Sequence, residues 1–95
     1  MTFAVLLLGG AREEAVHTVR EFVAAARAAG HRADIFLAGD GVVHGAALAP
    51  LGGVTLCAAD ARWRGLAPGP ESARFGSLAD WAELCRAADR TLVFG

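Results

Sequence analysis

The sequence predicts a three-layer α/β/α domain built around a small, mostly parallel sheet of about four to five strands. Three observations lead to this fold class. Short apolar segments alternate with segments of helical periodicity, which is typical of parallel sheets with crossover helices. The first segment, Phe3–Leu8, is apolar at every position, as expected of a strand buried on both faces. The chain has 95 residues, which is enough for one domain spanning 1–95.

The first half of the chain contains two strands and one long helix. Phe3–Leu8 forms the first strand, which Gly9 and Gly10 end. Apolar residues then recur at spacings of three and four from Arg12 to Ala29, which predicts a helix. Ala33–Ala38 is the second strand, and a Gly39-Asp40-Gly41 turn follows it.

The second half repeats the alternation. Val42–Leu51 predicts a short helix ended by Pro50, and Val54–Cys57 a third strand. The remaining segments are a helix at Ala59–Leu66, a loop at Ala67–Gly76, a helix from a Ser77 cap to Ala88, and a last strand at Thr91–Phe94. Asp80 stands three residues after Ser77, as in a capping box. The resulting order predicts a flavodoxin-like topology.

Composition excludes several classes of function. The formal net charge is −1, and nine arginines without any lysine are scattered along the chain, so neither nucleic acid nor a membrane surface is an expected partner. Absence of lysine excludes Schiff-base enzymes and P-loop ATPases. No segment predicts a membrane span or secretion signal, and we expect a cytoplasmic protein with reduced cysteines.

Hydrophobic residues make up 55% of the chain, which exceeds what so small a domain buries. This surplus predicts apolar contacts between subunits, and hence a homo-oligomer. A monomer with ordinary surface leucines is the alternative.

The carboxyl ends of the strands are the expected ligand-binding edge of a parallel sheet. Gly10 follows the first strand, and Asp40 and Gly41 follow the second, so these residues are candidates for substrate binding. Cys57 ends the third strand and precedes a helix. A helix N-terminus lowers the pKa of a nearby thiol and favours the nucleophilic thiolate, so Cys57 is the main catalytic candidate. A buried, packed thiol is the alternative.

Charged residues of the helix after Cys57, and one histidine from the preceding segment, are candidates to assist the thiol. Arg62 and Arg64 would add positive charge near the thiol, whereas Asp60 would oppose the thiolate. His44 is the candidate base or proton donor, with a solvent-facing loop histidine as the alternative.

The remaining cysteine and histidines predict no chemistry. Leu78, Trp81 and Cys85 share one apolar helix face, so Cys85 should be packed and inert. His17 and His31 should be exposed and structural. No Cys/His spacing indicates a metal site, and no motif indicates an organic cofactor.

The segment Gly53-Val-Thr-Leu-Cys57-Ala-Ala-Asp-Ala-Arg-Trp-Arg-Gly65 resembles the cysteine segment of the DsrE/TusD-like sulfur-relay family. Gly41-Val42 resembles the turn after that family's second strand, and the segment from Gly76 to Phe94 resembles its final helix and strand. Asp60 departs from the small apolar residue usual at its position.

The resemblance implies a three-layer fold, oligomers of two to six subunits and an intracellular sulfurtransferase-type function. Cys57 would carry sulfane sulfur as a persulfide between a sulfur-donor protein and an acceptor, and Arg64 and Gly65 match the pattern after it. A non-catalytic subunit that forms oligomers or binds a small molecule remains the alternative, because the family includes members without a working cysteine.

Overall fold

The computed structural model of the chain describes residues 1–10, 13–69 and 73–95. Its strands are β1 (Thr2–Leu7), β2 (Arg32–Leu37), β3 (Val54–Cys57), β4 (Arg74–Gly76) and β5 (Arg90–Phe94). Its α-helices are α1 (Glu13–Ala28), α2 (Gly45–Leu48), α3 (Ala58–Trp63) and α4 (Leu78–Ala87). Two 3₁₀ segments, Gly39–His44 and Ala49–Leu51, flank α2.

The five strands form one parallel sheet in the order β4-β3-β2-β1-β5. The predicted α/β class and parallel sheet are therefore confirmed. Successive crossovers from β1 to β4 move in one direction across the sheet, and the crossover from β4 to β5 returns to the opposite edge. Because such crossovers are right-handed, α1, α2 and α3 cover one face and α4 covers the other.

Aromatic contacts identify the two faces. Phe3 of β1 packs edge-on against Phe22 of α1, with ring centroids 5.3 Å apart. Phe36 of β2 lies 5.9 Å from Trp81 of α4. Phe3 is paired with Ala33, three residues before Phe36, so alternation puts Phe3 and Phe36 on opposite faces. We call these the α1 face and the α4 face.

The core lies mainly on the α1 face, between the sheet and the helix α1. Side chains there that are fully buried include Val5 and Leu7 of β1, Val19 and Val23 of α1, and Leu37 of β2. They recur at the spacings predicted from the sequence, two along the strands and three to four along α1. The spacing of apolar residues in the sequence therefore determines which side chains form the hydrophobic core.

The α4 face is covered more thinly. No residue of α4 is fully buried. Leu78 at the start of α4 is 63% exposed, and Val93 of β5, which alternation and pairing with Leu6 place on this face, is 58% exposed. The predicted apolar face of the last helix is thus only partly correct: Trp81 and Cys85 are half-buried, whereas Leu78 lies in solvent.

One element was missed by the sequence prediction. The end of the predicted loop, Arg74–Gly76, is β4, a short edge strand paired with β3. Pro68 and Gly69 signal a loop, and three residues are too few for a recognisable period. The predicted helix start at Arg12 and residues 70–72 of the predicted loop lie outside the described residues.

Candidate functional site

Glycines bring the loops after β1 and β2 together at the carboxyl edge of the sheet. A Cβ on Gly10 would lie 2.3 Å from the carbonyl oxygen of Asp40, and one on Gly41 would lie 2.1 Å from that of Leu7. Both distances are far below van der Waals contact, so only glycine fits at either position. Gly10, Asp40 and Gly41 therefore do come together as predicted, but the backbone of one loop fills the space beside the other.

Cys57 lies at the junction between β3 and α3. It is the last residue of β3 and the N-cap of α3, and its side chain makes no capping hydrogen bond within the described structure. Only 6% of the residue is exposed, and it belongs to the hydrophobic core. Its thiol is free, as is that of Cys85, which is half-buried. The position of Cys57 at the end of a strand and the start of a helix matches the prediction. Its burial matches the alternative of a packed thiol.

The neighbour of Cys57 across the sheet is Gly76, its register partner at the end of β4. The chain leaves β3 towards the α1 face and leaves β4 towards the α4 face, so the gap between the two strand ends is a topological switch point. Ligands of open parallel sheets bind at such points. Alternation places the side chain of Cys57 on the α4 face with Thr55, whose methyl group lies beside Gly76.

Asp60 and Arg64 join α3 to the turn after β2. The Asp60 carboxylate accepts a hydrogen bond from the backbone N–H of Gly39 at 2.7 Å. Arg64 donates to the Asp40 carboxylate at 2.6 Å and to the backbone carbonyl of Asp60 at 3.0 Å. The guanidinium predicted to assist the thiolate is thus engaged with Asp40. Arg62, the other predicted cation, is exposed.

The structure does not bring His44 to Cys57. His44 ends the first 3₁₀ segment and lines a cavity of about 360 Å³ against α1, together with Val16, His17, Arg20 and Ala47. The cavity lies on the α1 face, whereas the side chain of Cys57 is on the α4 face. His17 is exposed, as predicted, and it also lines this cavity. The three-residue spacing of His17 and Arg20 was the available signal, but nothing local shows which segment packs against it.

A smaller apolar cavity of about 110 Å³ lies beside the ends of β3 and β4. Its lining includes Leu56 and Phe75, the residues immediately before Cys57 and Gly76, and Val43, Gly45 and Leu66. A Cβ on Gly45 would lie 2.8 Å from the Leu56 side chain, so glycine allows α2 to pack closely against β3. This cavity could not be predicted from the sequence, because its walls come from separate segments.

Neither a metal site nor a membrane span is found within the described ranges. No group of three or more His, Cys, Asp or Glu side chains in residues 1–10, 13–69 and 73–95 is placed to hold a metal ion. Over the same residues, no helix has the length and apolar character needed to cross a bilayer.

No family model and no curated protein sequence matches the chain. Its structure matches the crystal structure of the YchN protein from E. coli with a TM-score of 0.76. The match covers 99% of this chain and 100% of YchN, at 20% sequence identity. YchN has a DsrE-like fold, and this chain shares that fold.

Proposed function

We propose that the protein is an intracellular sulfur carrier of the DsrE type, a sulfurtransferase in which Cys57 accepts sulfane sulfur and passes it to a second thiol. The observation that carries the proposal is the place of Cys57, at the end of β3 and at the switch point of the sheet. The DsrE-like fold and the resemblance of the Gly53–Gly65 segment support it.

The proposed reaction is a thiolate exchange without net oxidation. The Cys57 thiolate attacks the outer sulfur of a donor persulfide, R–S–SH, and a new S–S bond forms on Cys57. The donor's S–S bond breaks, and the donor leaves as its thiolate, R–S⁻, while Cys57 becomes Cys57–S–SH. An acceptor thiolate then attacks the outer sulfur in the same way and regenerates Cys57. Neither a metal nor an organic cofactor is required.

Burial of Cys57 sets a condition on this reaction. Because the residue is 6% exposed, a donor has to reach the sulfur through the gap between the ends of β3 and β4. Gly76 adds no side chain of its own to this gap, and the Thr55 methyl group and the Asp80 carboxylate lie beside it. We therefore propose that a donor or acceptor protein docks at this edge, and that small polysulfides react more slowly than such a partner.

The test is persulfide loading followed by peptide mapping. The reduced protein is incubated with a persulfide donor, and the expected adduct is a mass increase of about 32 Da, one sulfur atom, on the peptide containing Cys57. Cys57→Ser should abolish it and Cys85→Ser should not. Loading confined to Cys85, or loading of Cys57 only after denaturation, would contradict the proposal.

A second candidate function is favoured by the burial of Cys57 together with the exposed apolar side chains. In this alternative the chain is a non-catalytic, oligomer-forming subunit, and Leu78, Val93 and Trp63, exposed by 63%, 58% and 87%, contact other copies. Light scattering distinguishes the outcomes: an oligomer without native loading of Cys57 favours the second function. A loaded oligomer is consistent with the first, and Leu78→Ser with Val93→Ser should lower its mass.

A further inference from the structure

Among the described residues, the cavity between α1 and α2 is lined by basic and apolar side chains only. His17 and Arg20 face it from α1, His44 from the end of the first 3₁₀ segment, and Val16 and Ala47 complete the described lining. No carboxylate is among these lining residues. Each imidazole offers one N–H when neutral and two when protonated, and the guanidinium offers five. The cavity is thus rich in hydrogen-bond donors and poor in acceptors.

Arg20 is held at the cavity wall without being neutralised. Its Nη2 donates to the backbone carbonyl of Ala47 at 3.3 Å, and its other N–H groups have no partner among the described residues. Within the described ranges, the ion pairs of arginine are Arg32–Asp34, Arg64–Asp40, Arg74–Asp80 and Arg86–Glu83. Arg20 is half-buried and belongs to none of them. One hydrogen bond therefore holds Arg20 beside the cavity, and its charge is not paired within the described ranges.

His44 contributes an unsatisfied polar atom. Its Nε2 is buried and finds no hydrogen-bond partner among the described residues. Such atoms are rare in native proteins, and each requires an explanation such as a bound ion or ligand. The unpartnered nitrogen belongs to a residue that lines the cavity.

We infer that this cavity binds the phosphate group of a small phosphorylated metabolite. Phosphate supplies acceptor oxygens to all three basic side chains, and guanidinium pairs well with such groups. The volume of about 360 Å³ lies in the usual range for small-molecule sites, which favours a phosphate monoester over the free ion. The site is independent of the proposed sulfur transfer, because Cys57 points to the opposite face of the sheet.

The inference is tested by NMR of the histidine ring C–H signals during titration with inorganic phosphate and with ribose 5-phosphate, at constant ionic strength in chloride. We expect saturable shifts of His17 and His44 with a Kd of about 1 mM or below. His31 should not shift, because it lies beside the amino group of Met1, 3.1 Å away, and outside the cavity. If ribose 5-phosphate binds more tightly than inorganic phosphate, the ligand is a phosphate monoester. If the two bind equally, the site binds the free phosphate ion.

Variants make the test specific. Arg20→Gln and His44→Gln should each weaken binding about tenfold or more, whereas Arg86→Gln, an equal loss of charge on the α4 face, should not. Equal shifts of all three histidines, no saturation, or equal weakening by Arg20→Gln and Arg86→Gln would overturn the inference. The chemical-shift dispersion of each variant shows whether it is folded.

Discussion

Arg64, at the end of α3, donates from both Nε and Nη2 to one carboxylate oxygen of Asp40, at 3.1 and 2.6 Å. The contact fastens α3 to the turn that follows β2, two segments that the sequence separates by a complete strand. A third hydrogen bond, from Arg64 to the carbonyl of Asp60, fixes the guanidinium in this position. The observed role of Arg64 is therefore to position the loops around the strand ends.

Arg64→Ala should destabilise the protein by about 1 kcal/mol, because the Asp40 carboxylate is exposed and surface ion pairs contribute little. Arg62→Ala removes an equal charge from the same helix at an exposed position and should have a smaller effect. Urea unfolding of both variants checks the prediction. Equal midpoints would show that the Arg64–Asp40 contact does not contribute.

Gly41→Ala should be strongly destabilising, by about 3 kcal/mol, since its Cβ would lie 2.1 Å from the backbone oxygen of Leu7. A backbone oxygen at the end of a central strand moves only if the sheet is distorted. Gly69→Ala is the matched control: its Cβ would meet no atom within 4 Å, and stability should change by less than about 0.5 kcal/mol. Thermal unfolding of the two variants provides the comparison.

Asp80→Asn should lower stability at neutral pH and much less in acid. The backbone N–H of Ser77, 2.8 Å away, is the main cause that holds the pKa of Asp80 below its ordinary value of 3.8. Burial opposes this effect, and the Arg74 guanidinium lowers the pKa further. A group with a lowered folded-state pKa stabilises the fold above its unfolded pKa, and this stability is lost as pH falls through the folded-state value.

The urea midpoints of the Asp80→Asn variant and the parent should therefore differ at about pH 7 and converge as the pH falls below the ordinary pKa of 3.8 and through the lowered folded-state pKa. Glu21→Gln, at an exposed position on α1, is the control for removing a carboxylate. A difference between Asp80→Asn and the parent that persists unchanged in acid would contradict the assigned cause.

The two tryptophans should differ in their contribution to stability. Trp81 is half-buried and packs against Phe36, so Trp81→Ala should cost about 2 kcal/mol. Trp63 is 87% exposed, and Trp63→Ala should change the stability of a single subunit by less than about 0.5 kcal/mol. Urea unfolding at low protein concentration checks both values. A large, concentration-dependent loss in Trp63→Ala would instead place Trp63 in a contact between copies.

Local patterns were enough to predict most of the fold. The apolar run at β1, the three-to-four spacing of α1 and the capping box at Ser77 and Asp80 each depend on residues close together in sequence, and the structure contains all three. β4 escaped prediction because a three-residue edge strand is defined by its partner β3 and has no period of its own.

In the candidate site, too, local features could be predicted from the sequence and long-range contacts could not. Sequence alone placed Cys57 at the end of a strand and start of a helix, since both signals are local. Only the tertiary structure decided that His44 faces His17 and Arg20 across a cavity, and that Arg64 binds Asp40. These contacts join segments distant in the chain, and their geometry is set by how helices pack on the sheet. No spacing of residues along the sequence encodes that packing directly.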